Sequence, residues 1–136
     1  MPLVKWTSSL SVGVYVFDVE HMQLFTLVND FYESILAGVD KQAIRVILNG
    51  LHAYAERHFA HEEEFFDVCR YKKAAEHRME HARLLVELEA FRNELLDGDI
   101  NSIIVNLSDF LVTWSTHHTL SHDREFCAEL RKIGIR

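Results

Sequence analysis

The sequence predicts an all-α fold: an up-down-up-down antiparallel four-helix bundle with an extended N-terminal arm. Three observations predict it. About half of the 136 residues are apolar, yet one proline (Pro2) and five glycines are the only strong turn formers of their kind, which favours a few long elements over many short strands. Four stretches repeat apolar residues at three-four spacing, the pattern of a helix with one buried face. The breaks between them are short, and short connections make consecutive helices antiparallel neighbours. A chain of this length, 1–136, reads as one domain.

The arm is residues 1–17, where Ser11-Val12-Gly13-Val14-Tyr15-Val16-Phe17 alternates small and apolar side chains. No second strand candidate exists to pair with it, so an extended segment packed across the bundle is expected. The first helix, 18–38, opens at Asp18, a good N-cap, and stops at Gly38; Leu24, Phe25, Val28, Phe31, Tyr32 and Ile35 form its apolar face. The second, 40–67, turns Ile44, Ile47, Leu48, Leu51, Tyr54, Ala55 and Phe65 inward. The third, 73–97, carries Leu84, Leu88, Phe91 and Leu95 and is closed by Gly98. The fourth, 99–123, presents Ile103, Ile104, Leu107, Phe110, Leu111 and Trp114, and 124–136 is left as a tail.

Composition narrows the function. The formal net charge is −7, and the basic groups near Arg70–Lys73 and Arg131–Arg136 are short, which argues against nucleic acid as a partner. No apolar run approaches the roughly 18 residues of a membrane span. The first residues lack the basic-then-apolar layout of a secretion signal, so a cytoplasmic protein is expected. Cys69 and Cys127 form no CxxC pair, which suits a reducing compartment. No protein partner is indicated. Nine histidines, by contrast, are many for this length, and imidazole is the commonest metal-ligand side chain.

Polar residues of ligand type interrupt each apolar stripe near one end. His21 lies near the start of the first helix, His58 and Glu62 near the end of the second, His77 and His81 near the start of the third, and His118 and Asp123 near the end of the fourth. Start, end, start, end in an antiparallel bundle brings all seven to one level. His58 and Glu62, like His77 and His81, are four apart and stack on one helix face. His118 and Asp123 are five apart, so the helix is expected to loosen or end near Asp123. Burying so many polar groups without metal would leave each needing its own partner. Of the acidic run Glu62-Glu63-Glu64, only Glu62 keeps the stripe, and the other two are expected in solvent. His52, His61, His117 and His122 fall beside or away from the stripes.

Five imidazoles and two carboxylates exceed the four ligands of one zinc. They suit two six-coordinate ions bridged by the carboxylates and by a solvent oxide or hydroxide, with one coordination position left open. Ligand type does not choose iron over manganese, zinc or cobalt.

Val12-Gly13-Val14 leading into Asp18-Val19-Glu20-His21, then His58-Phe59-Ala60-His61-Glu62-Glu63, His77-Arg78-Met79-Glu80-His81, and Trp114 through His118 to Asp123 together carry a resemblance. Over nearly its full length the chain resembles the hemerythrins, particularly the bacterial single-domain ones. The resemblance implies two iron ions, with His77, His81 and His118 on one, His21 and His58 on the other, and Glu62 and Asp123 between them. It also implies reversible binding of molecular oxygen for carriage, storage or sensing, not an enzyme. A di-iron oxidase of the same architecture would use more carboxylates and fewer imidazoles.

The resemblance places Leu24, Phe59, Trp114, Ser115 and Thr119 around the oxygen pocket. Ser115 and Thr119 depart from the family pattern, which has apolar residues at both places. Their hydroxyls either turn back to a helix carbonyl or make the pocket more polar. The second outcome would favour an enzyme reacting with peroxide, nitric oxide or oxygen.

Overall fold

The structure, a computed structural model, describes residues 2–38 and 40–136; Met1, at the head of the expected arm, lies outside them. Helices α1 (Tyr15–Leu36), α2 (Lys41–Val68), α3 (Ala74–Asp97) and α4 (Ile100–Val112) form the antiparallel bundle, and no strand occurs among the described residues. α1 and α3 each pack against both α2 and α4, so the four surround one core. α4 passes directly into a π-helical segment, Thr113–Asp123, and then into α5, Arg124–Lys132. No helix among the described residues is long and apolar enough to cross a membrane.

The caps explain most of the boundaries. Asp40 accepts from the amide of Ala43 at 3.0 Å, and Asp99 accepts from the amide of Ser102 at 3.3 Å and its hydroxyl at 3.0 Å. Gly98 is required by space: a Cβ there would stand 2.6 Å from the Glu94 carbonyl oxygen. Asp18 is not the cap of α1, which begins three residues earlier. It lies in the first turn and reaches back to the arm, accepting from the amide of Val12 at 2.8 Å and the hydroxyl of Ser11 at 2.5 Å. The carboxylate thus ties the arm down while facing the positive end of the helix. The arm also contains one 3-10 turn, Ser8–Leu10, between extended residues Thr7 and Ser11.

Two apolar clusters fill the interior. The larger holds Leu24, Phe25, Val28, Phe31, Ile44, Leu48, Leu51, Tyr54, Phe59, Leu84, Leu88, Leu107, Leu111 and Trp114. The smaller joins Val12, Val14 and Phe17 to Phe66, Phe126, Cys127 and Leu130 at one end of the bundle. The expected tail is therefore a helix over most of its length, because Phe126, Cys127 and Leu130 repeat at three-four spacing and need burial. Phe66, not Phe65, is the fully buried ring at the end of α2; Phe65 is half-buried. Histidine rings lie between the clusters. Phe17 and Phe66 meet His58 and His77 from one side, while Phe59 meets His81 and His118 from the other.

Candidate metal centre

The seven residues expected at one level are brought together there. His21, His58, Glu62, His77, His81, His118 and Asp123 are each at most 4% exposed. α1 supplies His21, α2 His58 and Glu62, α3 His77 and His81, and the π segment His118 and Asp123. All five Nε2 atoms converge on the two carboxylates. His81 and His58 stand 3.0 and 3.5 Å from Glu62 Oε1. His77 and His118 lie 2.9 and 3.1 Å from Asp123 Oδ1, and His21 lies 3.0 Å from Asp123 Oδ2.

The result is two overlapping sets of donors. Glu62, Asp123, His77, His81 and His118 each offer an atom within 4.8 Å of the others, and so do Glu62, Asp123, His21 and His58. The two carboxylates belong to both. Several of these close approaches lack hydrogen-bond alignment. Nine buried polar atoms have no hydrogen-bond partner among the described residues: both nitrogens of His21 and His118, both oxygens of Glu62, His77 Nδ1, His81 Nε2 and Asp123 Oδ2. Orphaned polar atoms are rare in protein interiors, and here all nine belong to the seven residues. Nitrogen lone pairs and carboxylate oxygens aimed at common points are what metal ions require. The residues fit a metal pair.

Protonation follows from burial and from the neighbours. Burial and the like charge of Asp123 push the Glu62 carboxyl well above the usual range. Asp123 goes the other way: burial would raise it, but His118, His21 and His77 hold it well below its usual value. His58 is lowered to about 4 by burial, and His81 is lowered further by burial and by His77. His118 loses to burial but gains more from Asp123 and Glu80, and is pushed up to about 9.

Around this layer lies a second one that the stripes did not reveal. Glu20 accepts from His58 Nδ1 and from His61 Nδ1, both at 2.5 Å. Glu63 accepts from His81 Nδ1 at 2.9 Å, so it is not a purely solvated residue as expected; Glu64 is exposed. A carboxylate on Nδ1 fixes the tautomer and leaves the Nε2 lone pair free for a metal. Glu80, clamped by Arg83, stands 3.7 Å from His118 Nδ1, a charge contact beyond hydrogen-bond reach. The available signal was adjacency: Glu20, Glu63 and Glu80 each neighbour a proposed ligand in sequence. Tyr54, expected only as core, donates to the Glu20 carbonyl at 2.6 Å and stacks on His58 at 5.4 Å.

The π segment settles the awkward spacing. On an α-helix, residues five apart lie about 140° from each other, whereas hydrogen bonds of the i to i+5 type place them one above the other. His118 and Asp123 therefore share a face, and the helix loosens without ending. Of the expected pocket residues, Leu24, Phe59, Trp114, Ser115 and Thr119 are all buried. Phe59 stacks flat on His81 at 4.0 Å and meets Trp114 at 5.8 Å. Ser115 turns its hydroxyl back to the Leu111 carbonyl at 2.7 Å. His52 sits apart, beside Glu56 at 2.8 Å, and His122 stacks on the His118 ring at 5.2 Å.

Fold and site define a class: a four-helix bundle with a buried histidine–carboxylate centre able to hold metal. The Hemerythrin HHE cation binding domain matches residues 12–130, and the chain belongs to the hemerythrin family. A bacteriohemerythrin of Clostridium acetobutylicum is 36% identical over 124 residues, covering 89% of this chain and 96% of that protein. One from Ralstonia nicotianae is 26% identical over 134 residues, covering 98% and 93%. The crystal structure of a hemerythrin point mutant superposes with a TM-score of 0.84 at 23% identity, covering 96% of this chain and 98% of that one, and supports the fold.

Proposed function

We propose that the chain holds two iron ions, bridged by Glu62, Asp123 and a solvent oxide or hydroxide, and binds molecular oxygen reversibly for carriage, storage or sensing. The carrying observation is the pair of donor sets that share both carboxylates. One set contains three histidines and the other two, so the side of His21 and His58 has one protein ligand fewer and takes the open position. An iron pair there would supply two electrons and a place for a diatomic molecule.

The protein's own contribution is positional. Glu20 and Glu63 orient His58 and His81 and keep the proton on Nδ1. Leu24, Phe59 and Trp114 line the apolar side of the layer and exclude water from it. The five-nitrogen donor set supports a carrier over an oxidase, whose sites are richer in carboxylates. A peroxide- or nitric-oxide-reactive enzyme would gain from a polar pocket, but the Ser115 hydroxyl is engaged with the helix carbonyl at 2.7 Å.

The test is to reduce the purified protein without air, count its iron and admit oxygen. Two irons per chain and a charge-transfer colour that disappears when oxygen is removed are expected. Irreversible conversion to the ferric form with product turnover would overturn the carrier reading.

A further inference from the structure

The change of winding that aligns His118 with Asp123 begins where two neighbouring hydroxyls meet the backbone. Ser115 Oγ donates to the Leu111 carbonyl at 2.7 Å and lies 3.3 Å from the Val112 carbonyl. Thr116 Oγ1 donates to the same Val112 carbonyl at 2.6 Å. Val112 is the last residue of α4 and the N-cap of the π segment. A hydroxyl has one proton to donate, so Ser115 serves Leu111 and Thr116 serves Val112, and these two successive carbonyls each take a hydroxyl that competes with the amide that would continue the α-helical ladder. Back-bonding of this kind weakens and bends an α-helix. The segment is also poorly committed to the α form: apart from Leu120, every residue of Thr113–Asp123 is Thr, Trp, Ser, His or Asp, all of low helix propensity.

We propose that Ser115 and Thr116 are positioning residues that switch the fourth helix from α to π winding, and so set the register of Asp123 against His118. The inference rests on the metal-pair reading above. It also gives Ser115 a task in this chain: its hydroxyl serves the backbone, one turn before His118, and not the pocket. Without the switch, Asp123 would rotate out of the layer and both donor sets would lose a shared carboxylate.

The test compares metal-free wild type with the Ser115→Ala, Thr116→Val double variant, titrated with cobalt(II) and followed by metal count and visible spectrum. Ser108→Ala is the control, because Ser108 Oγ makes the same back-bond, to the Ile104 carbonyl at 2.7 Å, inside regular α4. The hydroxyl-retaining Ser115→Thr, Thr116→Ser variant tests rescue. Expected are an affinity loss of about tenfold or more and an altered spectrum in the double variant alone. Backbone chemical shifts of its metal-free form should move toward α-helical values over Thr113–Asp123. Wild-type affinity, spectrum and shifts in the double variant would overturn the proposal. If the double variant does not fold, Ser115→Ala and Thr116→Val are read singly, and wild-type behaviour in both overturns it. Wild type that binds no metal pair would instead overturn the metal reading.

Discussion

Glu62→Leu should make the metal-free protein more stable while impairing the site. Glu62 is fully buried, and neither of its oxygens has a hydrogen-bond partner. Its carboxyl is held well above its usual pKa by burial and by Asp123, which favours the uncharged form, and it faces His81, His58 and His77. A buried polar group left unpaired costs about 1–3 kcal/mol, and leucine of similar volume removes that cost. With a urea m-value of about 2 kcal/mol/M, the unfolding midpoint should rise by about 0.5–1.5 M. The assay is urea unfolding followed by circular dichroism, in chelator and then with ferrous iron under anaerobic conditions. Iron at 100 times its dissociation constant should raise wild-type stability by about 2.7 kcal/mol for each of the two ions. The variant should gain far less, because both ions lose the same bridging ligand, and the order of stabilities should reverse. A metal-free variant that unfolds at the same or lower urea would refute the reasoning.

Metal loading should also release protons. In the metal-free protein Glu62 is shifted toward its protonated form, and His118, pushed up to about 9, carries an extra proton at pH 7, while His58 and His81 are lowered and neutral there. Ligands must shed such protons to bind, and a solvent bridge would shed its own, so more protons per chain should appear at pH 7 than above pH 9, where His118 has already lost its extra one, read with an indicator dye in weak buffer. No release at pH 7 would refute the assignment. The same shift works on the empty fold: the His118 pKa is raised, so its stabilising contribution is complete below pH 6.5 and is lost as pH rises through about 9. Glu20→Ala should weaken the His21/His58 side about 10–100-fold and spare the other, because Glu20 orients His58 and touches none of His77, His81 or His118. Equal weakening of both steps in a cobalt titration would contradict it.

The convergence of seven side chains at one level was legible in the sequence for a simple reason. Three-four periodicity assigns residues to a helix face, and antiparallel order alternates which end of each helix reaches a given level. His21, His58, Glu62, His77, His81, His118 and Asp123 could be named together because both rules depend on the chain alone. Glu20, Glu63 and Glu80 could not be assigned that way. They lie off the stripes, and whether each reaches an imidazole on its own or another helix depends on how the helices are rotated against one another. The helix Arg124–Lys132 was hidden differently: its apolar residues need a second cluster, and the partners Val12, Val14 and Phe17 come from the far end of the chain. The five-residue interval between His118 and Asp123 announced that an α-helix would not suffice. Only the tertiary structure decided that the helix widens and continues, because the choice between α and π winding is a small difference between backbone ladders. That difference is tipped by local hydroxyls and by the burial of Trp114, His118 and Asp123 on one face.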